Sequence, residues 1–475
     1  MSALPIRSDL RSLKPYGAPQ LDVPVQLNVN ENPFAPSEPT VRKISEAVAK
    51  AVAGLNRYPD RDAIVLRDAL VNYLSKREGI VVDLAQVWPA NGSNEVMLQL
   101  MQTFGGPGKR ALGFSPTYSM YPDYCRDTFT NYVTVARNED FSVSAQLALK
   151  AIEDTSPDIV LFASPNNPTG TALDLSIVEQ VCSRFEGMVI VDEAYAEFRR
   201  SGTPSALTLL ERFERLVVTR TMSKAFAFAG GRVGYLVASP AVVDAVQLVR
   251  LPYHLSALTQ AAATAALEQA DDLLAGVELL RSQRDDLVEW LRGRGHQVAQ
   301  SDANFVLFGK FADSDAVWQG LLDRGVLIRQ TGPDGWLRVS IGTPSEMMSF
   351  RQALVSVYPK RLVGIRFATV GDAAVGMHPV TAHGFNFGLL GVQQLLKEIL
   401  GAHKVGKDIG DQALLLRYER THRLKTKPLF LMTRLITEIY TKESPPAKFL
   451  RKALLHISEK LTPFKKSIAL SLTGR

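Results

Sequence analysis

Three polar segments of the chain each follow a short run of apolar, mostly β-branched residues. The runs and the segments after them are Ile159–Ala163 before Ser164–Gly170, Met188–Val191 before Asp192–Tyr195, and Leu216–Thr219 before Arg220–Arg232. In open α/β sheets, ligands bind beyond the carboxyl ends of the strands. If the runs are neighbouring strands, an Asn, an Asp, a Tyr, a Lys and an Arg meet at one edge of a sheet, which predicts a binding site there.

These residue types fit the chemistry of one cofactor. A lysine that is partly desolvated and close to other cations has a lowered pKa and can form a Schiff base. An acidic side chain at a strand end can pair with a pyridinium nitrogen, and Asn and Tyr can hydrogen-bond a phenolic oxygen. Hydroxyls, backbone amides and Arg232 suit a phosphate. Together they describe pyridoxal 5′-phosphate.

The elements that position these residues alternate along residues 40–360. Helical patterns lie at Val41–Ala53, Ile64–Lys76, Glu95–Phe104, Leu173–Phe185 and Gln260–Gly293. Alternating helices and strands predict an α/β fold with a mostly parallel sheet. The shorter pattern near Asn304–Leu307 and Trp336–Ser340 predicts a smaller α+β domain.

One motif resembles the glycine-rich fingerprint of dinucleotide-binding proteins, but its position in the chain does not fit that function. Gly106–Ala111 fits G-x-G-x-x-A, but a helical pattern precedes it and the apolar run Ala111–Phe114 follows. A dinucleotide fingerprint must instead follow a strand and open a helix. The segment is therefore predicted to be a helix-to-strand turn.

Composition excludes several classes of protein. The 475 residues are 46% hydrophobic and 21% charged, which is typical of a globular protein. We find no apolar stretch of membrane-spanning length and no secretory leader, and the two cysteines, Cys125 and Cys182, fit a reducing cytoplasm. All seven histidines lie at or after His254, without a His-Glu-x-x-His motif, so no metal site is predicted.

At the residues above, the chain resembles fold-type I pyridoxal-phosphate aminotransferases, and more closely the histidinol-phosphate aminotransferase family. The resemblance spans about residues 5–357. Besides the three polar segments, its motifs are Leu27–Pro33, Arg57–Asp60, Asn91–Glu95, Pro116–Tyr118 and Ser301–Phe305. It implies a homodimer with shared active sites, small-molecule substrates, and no nucleic-acid or membrane partner.

The resemblance assigns a role to each cofactor-binding residue. Lys224 matches the lysine that forms the Schiff base and later moves the substrate proton, and Asp192 matches the partner of the pyridine nitrogen. Asn167 and Tyr195 match the groups bonded to the ring oxygen, and Tyr118 matches the stacked aromatic ring. The phosphate site is implied to consist of Ser93, Asn94, Thr221, Ser223, Arg232 and, from the neighbouring subunit, Tyr58.

Substrate recognition is implied for four further residues. Arg338 resembles the arginine that binds the α-carboxylate, and Arg329 matches an arginine near the substrate phosphate. Tyr16 and Asn30 lie in the segment that covers the substrate. The implied reaction transfers an amino group from glutamate to imidazole-acetol phosphate. An aromatic amino acid such as phenylalanine is the alternative substrate, and a pyridoxal-phosphate decarboxylase acting on an amino-acid phosphate would use the same cofactor site.

Residues 361–475 differ in charge from the rest of the chain. They carry 19 Lys and Arg against 8 Asp and Glu, a net of +11, which leaves −5 for residues 1–360. A basic stretch such as Arg417–Lys427 is interpreted as a solvated helical face, since no nucleic-acid motif accompanies it.

Residues 361–425 resemble the C-terminal part of flavin-dependent hydroxylases of the ubiquinone-biosynthesis type, in which the residue matching Asp372 contacts the flavin. The nucleotide-binding half of those enzymes is missing here, so we expect no FAD, a flavin hydroxylase is the least favoured alternative, and His378 and His383 are expected to be structural. The predicted parts are an N-terminal segment (1–34), a large domain (35–255), a small domain (256–360) and an appended, mainly helical fragment (361–475).

Overall fold

The computed structural model describes residues 4–13, 15, 17–357, 363–364, 366–371 and 384–441, and only the backbone of 384–387 and 427–441. The chain forms two compact units, which divide between Ser349 and Phe350. The finer division into four parts stays a prediction. No helix among the described residues is both long and apolar enough to cross a membrane.

A seven-stranded sheet forms the centre of the first unit. After the short strand β1 (Val25–Gln26), its strands are β2 (Val87–Ala90), β3 (Arg110–Ser115), β4 (Asn131–Ala136), β5 (Ile159–Ala163), β6 (Met188–Asp192), β7 (Leu216–Thr221) and β8 (Gly234–Ala238). The order across the sheet is β2-β8-β7-β6-β5-β3-β4. Because β8 is antiparallel to both neighbours and the other pairs are parallel, the predicted mostly parallel sheet is confirmed.

The three strands predicted to carry the chemistry are adjacent in this sheet. β5 has the predicted bounds, and every residue of β5, β6 and β7 is buried, as expected for strands covered by helices on both faces. β6 extends one residue beyond the prediction, to Asp192, and β7 two residues, to Thr221. Both residues therefore end their strands at the same edge of the sheet.

Twelve α-helices lie between residues 38 and 357. They are α1 (Glu38–Val52), α2 (Ile64–Glu78), α3 (Gly92–Phe104), α4 (Tyr121–Asp127), α5 (Ala145–Thr155), α6 (Leu175–Cys182), α7 (Pro240–Gln247), α8 (Ala257–Glu268), α9 (Ala270–Leu273), α10 (Val277–Gly293), α11 (Ser314–Leu322) and α12 (Pro344–Val357). Some of them pack on the seven-stranded sheet, while α10 and α11 contact the smaller sheet described below. A large apolar cluster around Trp88, Leu100 and Tyr121 joins α3 and α4 to the sheet. The helices predicted near residues 41–53, 64–76 and 95–104 are confirmed.

The single helical stretch predicted for Gln260–Gly293 is wrong, because the structure has α8, α9 and α10 there. The last break falls at Gly276, where the chain passes close to Phe34. A Cβ atom on Gly276 would lie 2.9 Å from the Phe34 ring, so a larger residue here would require that ring to move. The helix predicted at Leu173–Phe185 is shorter than expected, since α6 begins at Leu175 and ends at Cys182.

The turn predicted between α3 and β3 is confirmed. Gly106 and Gly108 have φ angles of 121° and 85°, which L-residues rarely adopt, and β3 begins at Arg110. The segment thus ends a helix and leads into a strand, the reverse of a dinucleotide-binding turn.

A four-stranded antiparallel sheet follows in the same unit. Its strands are β9 (Gln297–Val298), β10 (Phe305–Gly309), β12 (Arg329–Gln330) and β13 (Trp336–Ser340), while β11 (Val326–Leu327) pairs with β1. The register of β12 and β13 pairs Arg329 with Arg338. Cross-strand partners of this kind lie on the same face of a sheet.

The second unit contains a hairpin, β14 (Val363–Gly364) and β15 (Phe367–Ala368), and two helices, α13 (Gly384–Lys404) and α14 (Gln412–Thr441). Its small core consists of Val363, Ala402, Leu414, Leu415 and Tyr418. Arg417, Arg420 and Arg423 are exposed on α14, as the solvated-face interpretation expects. Asp372, His378 and His383 lie outside the described residues.

Candidate active site

A cavity of about 260 Å³ lies in the first unit where β5, β6 and β7 end. The segment 28–30 and residues of β12 and β13 also line it. Of the predicted site residues that the structure describes, all but Tyr58 contribute to its wall: Asn30, Ser93, Asn94, Tyr118, Asn167, Asp192, Tyr195, Thr221, Ser223, Lys224, Arg232, Arg329 and Arg338. The structure thus brings together residues up to 308 positions apart in the sequence.

Lys224 lies three residues beyond the end of β7, and its Nζ donates a hydrogen bond to the Val29 carbonyl (3.0 Å). Burial lowers the pKa of Lys224 to about 8, and the positive charges of Arg338 and Arg232 act in the same direction. Glu31 opposes the shift. An amine with such a pKa is neutral in a substantial fraction of molecules near neutral pH and can act as a nucleophile.

Asp192 is buried at the end of β6 and accepts three hydrogen bonds. Tyr121 donates to Oδ2 (3.0 Å), and the Thr219 hydroxyl (3.2 Å) and the Ala194 N–H (3.3 Å) donate to Oδ1. Burial raises the pKa of Asp192 despite these bonds. Within the described part of the chain, Asp192 forms no ion pair. A buried carboxylate that faces a cavity under these conditions is a binding site for a cationic ligand atom.

The next residue, Glu193, has the opposite environment. Its carboxylate accepts from the Arg220 guanidinium (2.7 Å) and from the Ser205 hydroxyl (2.7 Å). Burial acts to raise the pKa of Glu193, but the charges of Arg220 and Arg199 lower it overall. Glu193 is therefore neutralised by the protein, and Asp192 is the carboxylate that remains for a ligand.

The hydroxyl of Tyr195 lies between two amides. Asn30 Nδ2 donates to it at 3.0 Å and Asn167 Nδ2 at 3.5 Å. Asn30 has a φ of 58°, and its Oδ1 accepts from the Ser340 hydroxyl (2.8 Å). Asn30, expected to cover the substrate, thus also orients Tyr195.

A group of donors surrounds the N-terminus of α3. Ser93 and Asn94 were expected in the loop before a helix at Glu95, but α3 begins at Gly92 and places both in its first turn. The first N–H groups of a helix have no partner within the helix and attract anions. The hydroxyls of Thr221 and Ser223 lie 3.0 Å apart, and Arg232 Nη1 donates to Ser223 Oγ (3.4 Å).

Glycine makes room for these donors. A Cβ on Gly92 would lie 2.6 Å from Arg232 Nη2, and one on Gly234 would lie 2.2 Å from the Ser93 nitrogen. The missing side chain at Gly92 therefore lets the Arg232 guanidinium approach the helix N-terminus. A cation, two hydroxyls and helical N–H groups at one point form a site for a phosphate.

Tyr118 lines the cavity beside this group, and its hydroxyl donates to Asn94 Oδ1 (3.4 Å). Its ring meets the ring of Tyr121 edge to face, with centroids 5.6 Å apart. An aromatic ring in this position can cover one face of a planar ligand.

Arg338 and Arg329 supply positive charge from the four-stranded sheet. Arg338 donates to Asn167 Oδ1 and to the Asn28 carbonyl (2.9 Å), and its guanidinium lies 5.0 Å from the centroid of the Phe305 ring. Because Arg329 is its cross-strand partner and also lines the cavity, the two arginines can bind two anionic groups of one substrate.

One predicted site residue lies away from this cavity. Tyr58 is 80% exposed and stacks on Tyr253, with ring centroids 4.5 Å apart. It does not line the cavity of its own chain. Tyr16 lies outside the described residues.

Sequence reasoning missed Tyr121, Thr219 and Thr331. Tyr121 and Thr219 bond Asp192, and Thr331 lines the cavity next to β12. A signal existed for Tyr121, because it follows Tyr118 by three residues. No cluster of three acidic, imidazole or thiol side chains that could hold a metal ion occurs among the described residues.

The sequence is similar to those of known aminotransferases. The sequence pattern of the family described as aminotransferase class I and II matches residues 23–354. The chain is 59% identical to the histidinol-phosphate aminotransferase of Thermobifida fusca over 74% of the chain and 95% of that protein. It is 58% identical to histidinol-phosphate aminotransferase 3 of Burkholderia lata over 75% of the chain and 96% of that protein.

Solved structures agree in fold. The histidinol-phosphate aminotransferase of Sinorhizobium meliloti, solved with pyridoxal 5′-phosphate, superposes with a TM-score of 0.62 at 22% identity, over 70% of this chain and 91% of that one. A putative histidinol-phosphate aminotransferase from Erwinia carotovora atroseptica gives 0.62 at 26% identity, over 71% and 98%. None of the relatives described here supports the resemblance of residues 361–425 to flavin hydroxylases.

Proposed function

The chain belongs to the class I and II aminotransferases, and within them to the histidinol-phosphate aminotransferases, and on that premise we propose that the cavity binds pyridoxal 5′-phosphate. The enzyme transfers the amino group of glutamate to imidazole-acetol phosphate, giving histidinol phosphate and 2-oxoglutarate. The single observation that carries the proposal is Asp192, a buried carboxylate that forms no ion pair within the described part of the chain and faces the same cavity as a lysine with a lowered pKa.

Asp192 would hold the protonated ring nitrogen of the cofactor. Glu193 is paired with the positive charge of Arg220, whereas Asp192 has no such partner among the described residues. The pyridinium of the cofactor would supply that positive charge to Asp192. Asn167 and Tyr195 would bond the ring oxygen, and Tyr118 would cover one ring face. These groups fit one planar, protonated heterocycle.

The donors at the N-terminus of α3 would hold the cofactor phosphate. Ser93, Asn94, Thr221 and Ser223 offer hydroxyls and N–H groups, and Arg232 offers a cation. The dipole of a helix favours an anion at this end. The space left by Gly92 keeps Arg232 within reach of the phosphate.

Pyridoxal 5′-phosphate supplies an electron-withdrawing ring that stabilises negative charge at the substrate Cα. The protein supplies the proton transfer. Lys224 Nζ, with a pKa of about 8, would take the proton from the substrate Cα and deliver it to the C4′ atom of the cofactor. Segment 28–30 lines this side of the cavity and accepts a hydrogen bond from Lys224 at the Val29 carbonyl.

Arg338 would bind the α-carboxylate of either amino acid, and Arg329 the second anionic group. That group is a phosphate in histidinol phosphate and a γ-carboxylate in glutamate, so both substrates present two anions to two cross-strand arginines. Phenylalanine has a single anionic group and leaves Arg329 without a partner in the substrate. This difference favours histidinol phosphate over an aromatic amino acid.

We further propose a cytoplasmic homodimer in which Tyr58 reaches the phosphate site of the partner. In support, the exposed apolar side chains on the surface include Tyr58 and its stacking partner Tyr253, and also Leu55, Leu248 and Leu251. Such a surface marks an interface with another molecule. Mixing inactive Tyr58→Ala and Lys224→Ala chains should restore activity, because hybrid dimers contain one complete site. Activity that stays absent after subunit exchange would contradict the shared site.

The central experiment is spectroscopic. Purified protein with pyridoxal 5′-phosphate should show the absorption of bound cofactor, and borohydride should attach the cofactor irreversibly to Lys224, as peptide mass spectrometry can show. Substrates should include histidinol phosphate, phenylalanine and a phosphorylated amino acid, with carbon dioxide release monitored. Turnover by Lys224→Ala would refute the mechanism, and carbon dioxide release without an amino-group acceptor would identify a decarboxylase.

A further inference from the structure

Tyr121 contacts two of the groups that would touch the cofactor ring, Asp192 and Tyr118. It is the first residue of α4 and is fully buried. Its hydroxyl donates to Asp192 Oδ2 (3.0 Å), and its ring meets the ring of Tyr118 edge to face at 5.6 Å and 86°. No other residue among those described both bonds Asp192 and packs against the Tyr118 ring in this way.

We propose that Tyr121 is a positioning residue of the active site, an inference that rests on the proposed function. Its hydroxyl fixes the carboxylate plane of Asp192 toward the ring nitrogen, and its ring holds Tyr118 against the ring face. A single buried side chain thereby positions both the partner of the ring nitrogen and the aromatic residue on the ring face.

The two carboxylate oxygens of Asp192 are held from different elements. Thr219 on the adjacent strand β7 and the nearby Ala194 N–H both bond Oδ1. Tyr121 bonds Oδ2 and belongs to α4. Without the phenol, the remaining donors would all bond Oδ1 and none would bond Oδ2. The carboxylate could then rotate about its Cβ–Cγ bond.

The phenol also stabilises the ionised carboxylate. Hydrogen bonds to a charged group favour the charged form. An ionised Asp192 is the partner that keeps a ring nitrogen protonated, so loss of the Tyr121 hydroxyl should weaken that pairing. We expect this loss to slow the chemical step and to leave substrate binding unchanged, because Tyr121 does not line the cavity where substrate binds.

Tyr121→Phe tests the hydroxyl and keeps the ring that supports Tyr118. In the holoenzyme we expect kcat to fall about tenfold, the size of one lost hydrogen bond to a charged group. KM for histidinol phosphate should stay within about twofold, since no substrate contact changes. The absorption band of the bound cofactor should shift. Unchanged kcat and spectrum would overturn the proposal.

Tyr73→Phe is the matched control. Tyr73 is also a buried tyrosine that donates to a buried carboxylate, here Glu197 Oε1 at 3.2 Å, and neither residue lines the cavity. Both variants should lose thermal stability, but Tyr73→Phe should keep kcat and the cofactor spectrum. An equal loss of kcat in the two variants would mean that Tyr121 is merely structural.

A double-mutant cycle separates this proposal from the proposed function. If Tyr121 acts through Asp192, Tyr121→Phe should change the single-turnover rate less than about twofold once Asp192 is Asn, and the two changes should be non-additive. Additive effects overturn the Tyr121 role. The same cycle in urea unfolding of the cofactor-free protein should also show coupling. Failure of the wild-type chain to bind pyridoxal 5′-phosphate would instead refute the proposed function and leave this coupling measurable.

Discussion

Lys224→Met should make the cofactor-free protein more stable at neutral pH, although it destroys the proposed catalytic lysine. Folding removes most of the Lys224 side chain from solvent and brings it near Arg338 and Arg232, which lowers its pKa from 10.5 to about 8. Below pH 8 the folded protein therefore contains a charge that the unfolded chain solvates better. Methionine keeps the unbranched shape and carries no charge.

The size of the pKa change determines how much the free energy of unfolding should change. A drop from 10.5 to about 8 corresponds to a destabilisation of about 3 kcal/mol below pH 8. The variant also loses the hydrogen bond from Lys224 Nζ to the Val29 carbonyl, which contributes about 1 kcal/mol. The expected net gain in the free energy of unfolding is thus about 2 kcal/mol at pH 7.

The stability difference between the variant and the wild type should depend on pH. Between pH 8 and 10.5 the unfolded chain binds a proton at Lys224 that the folded chain has released, so the wild-type protein gains stability as pH rises. The variant lacks this gain. Its advantage should be full below pH 8 and should disappear by about pH 10.5, leaving it slightly less stable than the wild type.

Urea unfolding of both proteins, after cofactor removal, at pH 7, 8, 9 and 10 measures the difference. Lys43→Met, on the exposed face of α1, is the control and should change stability by less than about 0.5 kcal/mol at every pH. A Lys224→Met variant that is less stable than wild type at pH 7, or a difference that stays constant with pH, would refute the reasoning.

Three other substitutions test the cavity and the fold. Arg329→Ala should lower kcat/KM for histidinol phosphate about tenfold to a hundredfold and spare phenylalanine, because it removes a charge-assisted contact to phosphate. Gly92→Ala, at a φ of 78° and with its Cβ 2.6 Å from Arg232 Nη2, should weaken pyridoxal 5′-phosphate binding about tenfold in a fluorescence titration. Gly276→Ala should lower the free energy of unfolding by about 1–3 kcal/mol, because its Cβ would overlap the Phe34 ring.

Each of these substitutions has a result that would contradict it. An equal loss of kcat/KM for histidinol phosphate and phenylalanine would show that Arg329 does not bind the substrate phosphate. Unchanged cofactor affinity in Gly92→Ala would mean that Arg232 does not depend on the space at Gly92. Gly230→Ala, where an added Cβ meets nothing within 4 Å, is a neutral control for Gly276→Ala, and equal losses in both would exclude the Phe34 contact as the cause.

The parallel strands could be predicted from sequence because their signal is local. β5, β6 and β7 are short apolar runs buried along their whole length, and each continues into a polar segment. Since such strand ends share one edge, the convergence of Asn167, Asp192 and Lys224 followed without any coordinates.

Contacts between distant segments could not be predicted in this way. The close approach of Gly276 to Phe34 joins positions 242 residues apart in the chain, so no local pattern could reveal it. The bond from Tyr121 to Asp192 depends on how α4 packs against β6. Likewise, the pairing of Arg329 with Arg338 became visible only with the register of β12 and β13.

The contact of Gly234 with the Ser93 nitrogen has a consequence for how this enzyme can evolve. Because the strand β8 lies directly against the first turn of α3, backbone atoms fix the position of the phosphate donors, and any added side chain at Gly234 would separate the two elements. The arginines that would select the substrate lie on β12 and β13, in a different sheet. Mutations on β12 can therefore change which amino acid is accepted without moving these donors, whereas a mutation at Arg338 would also affect Asn167, which it bonds, and Lys224, whose pKa it lowers.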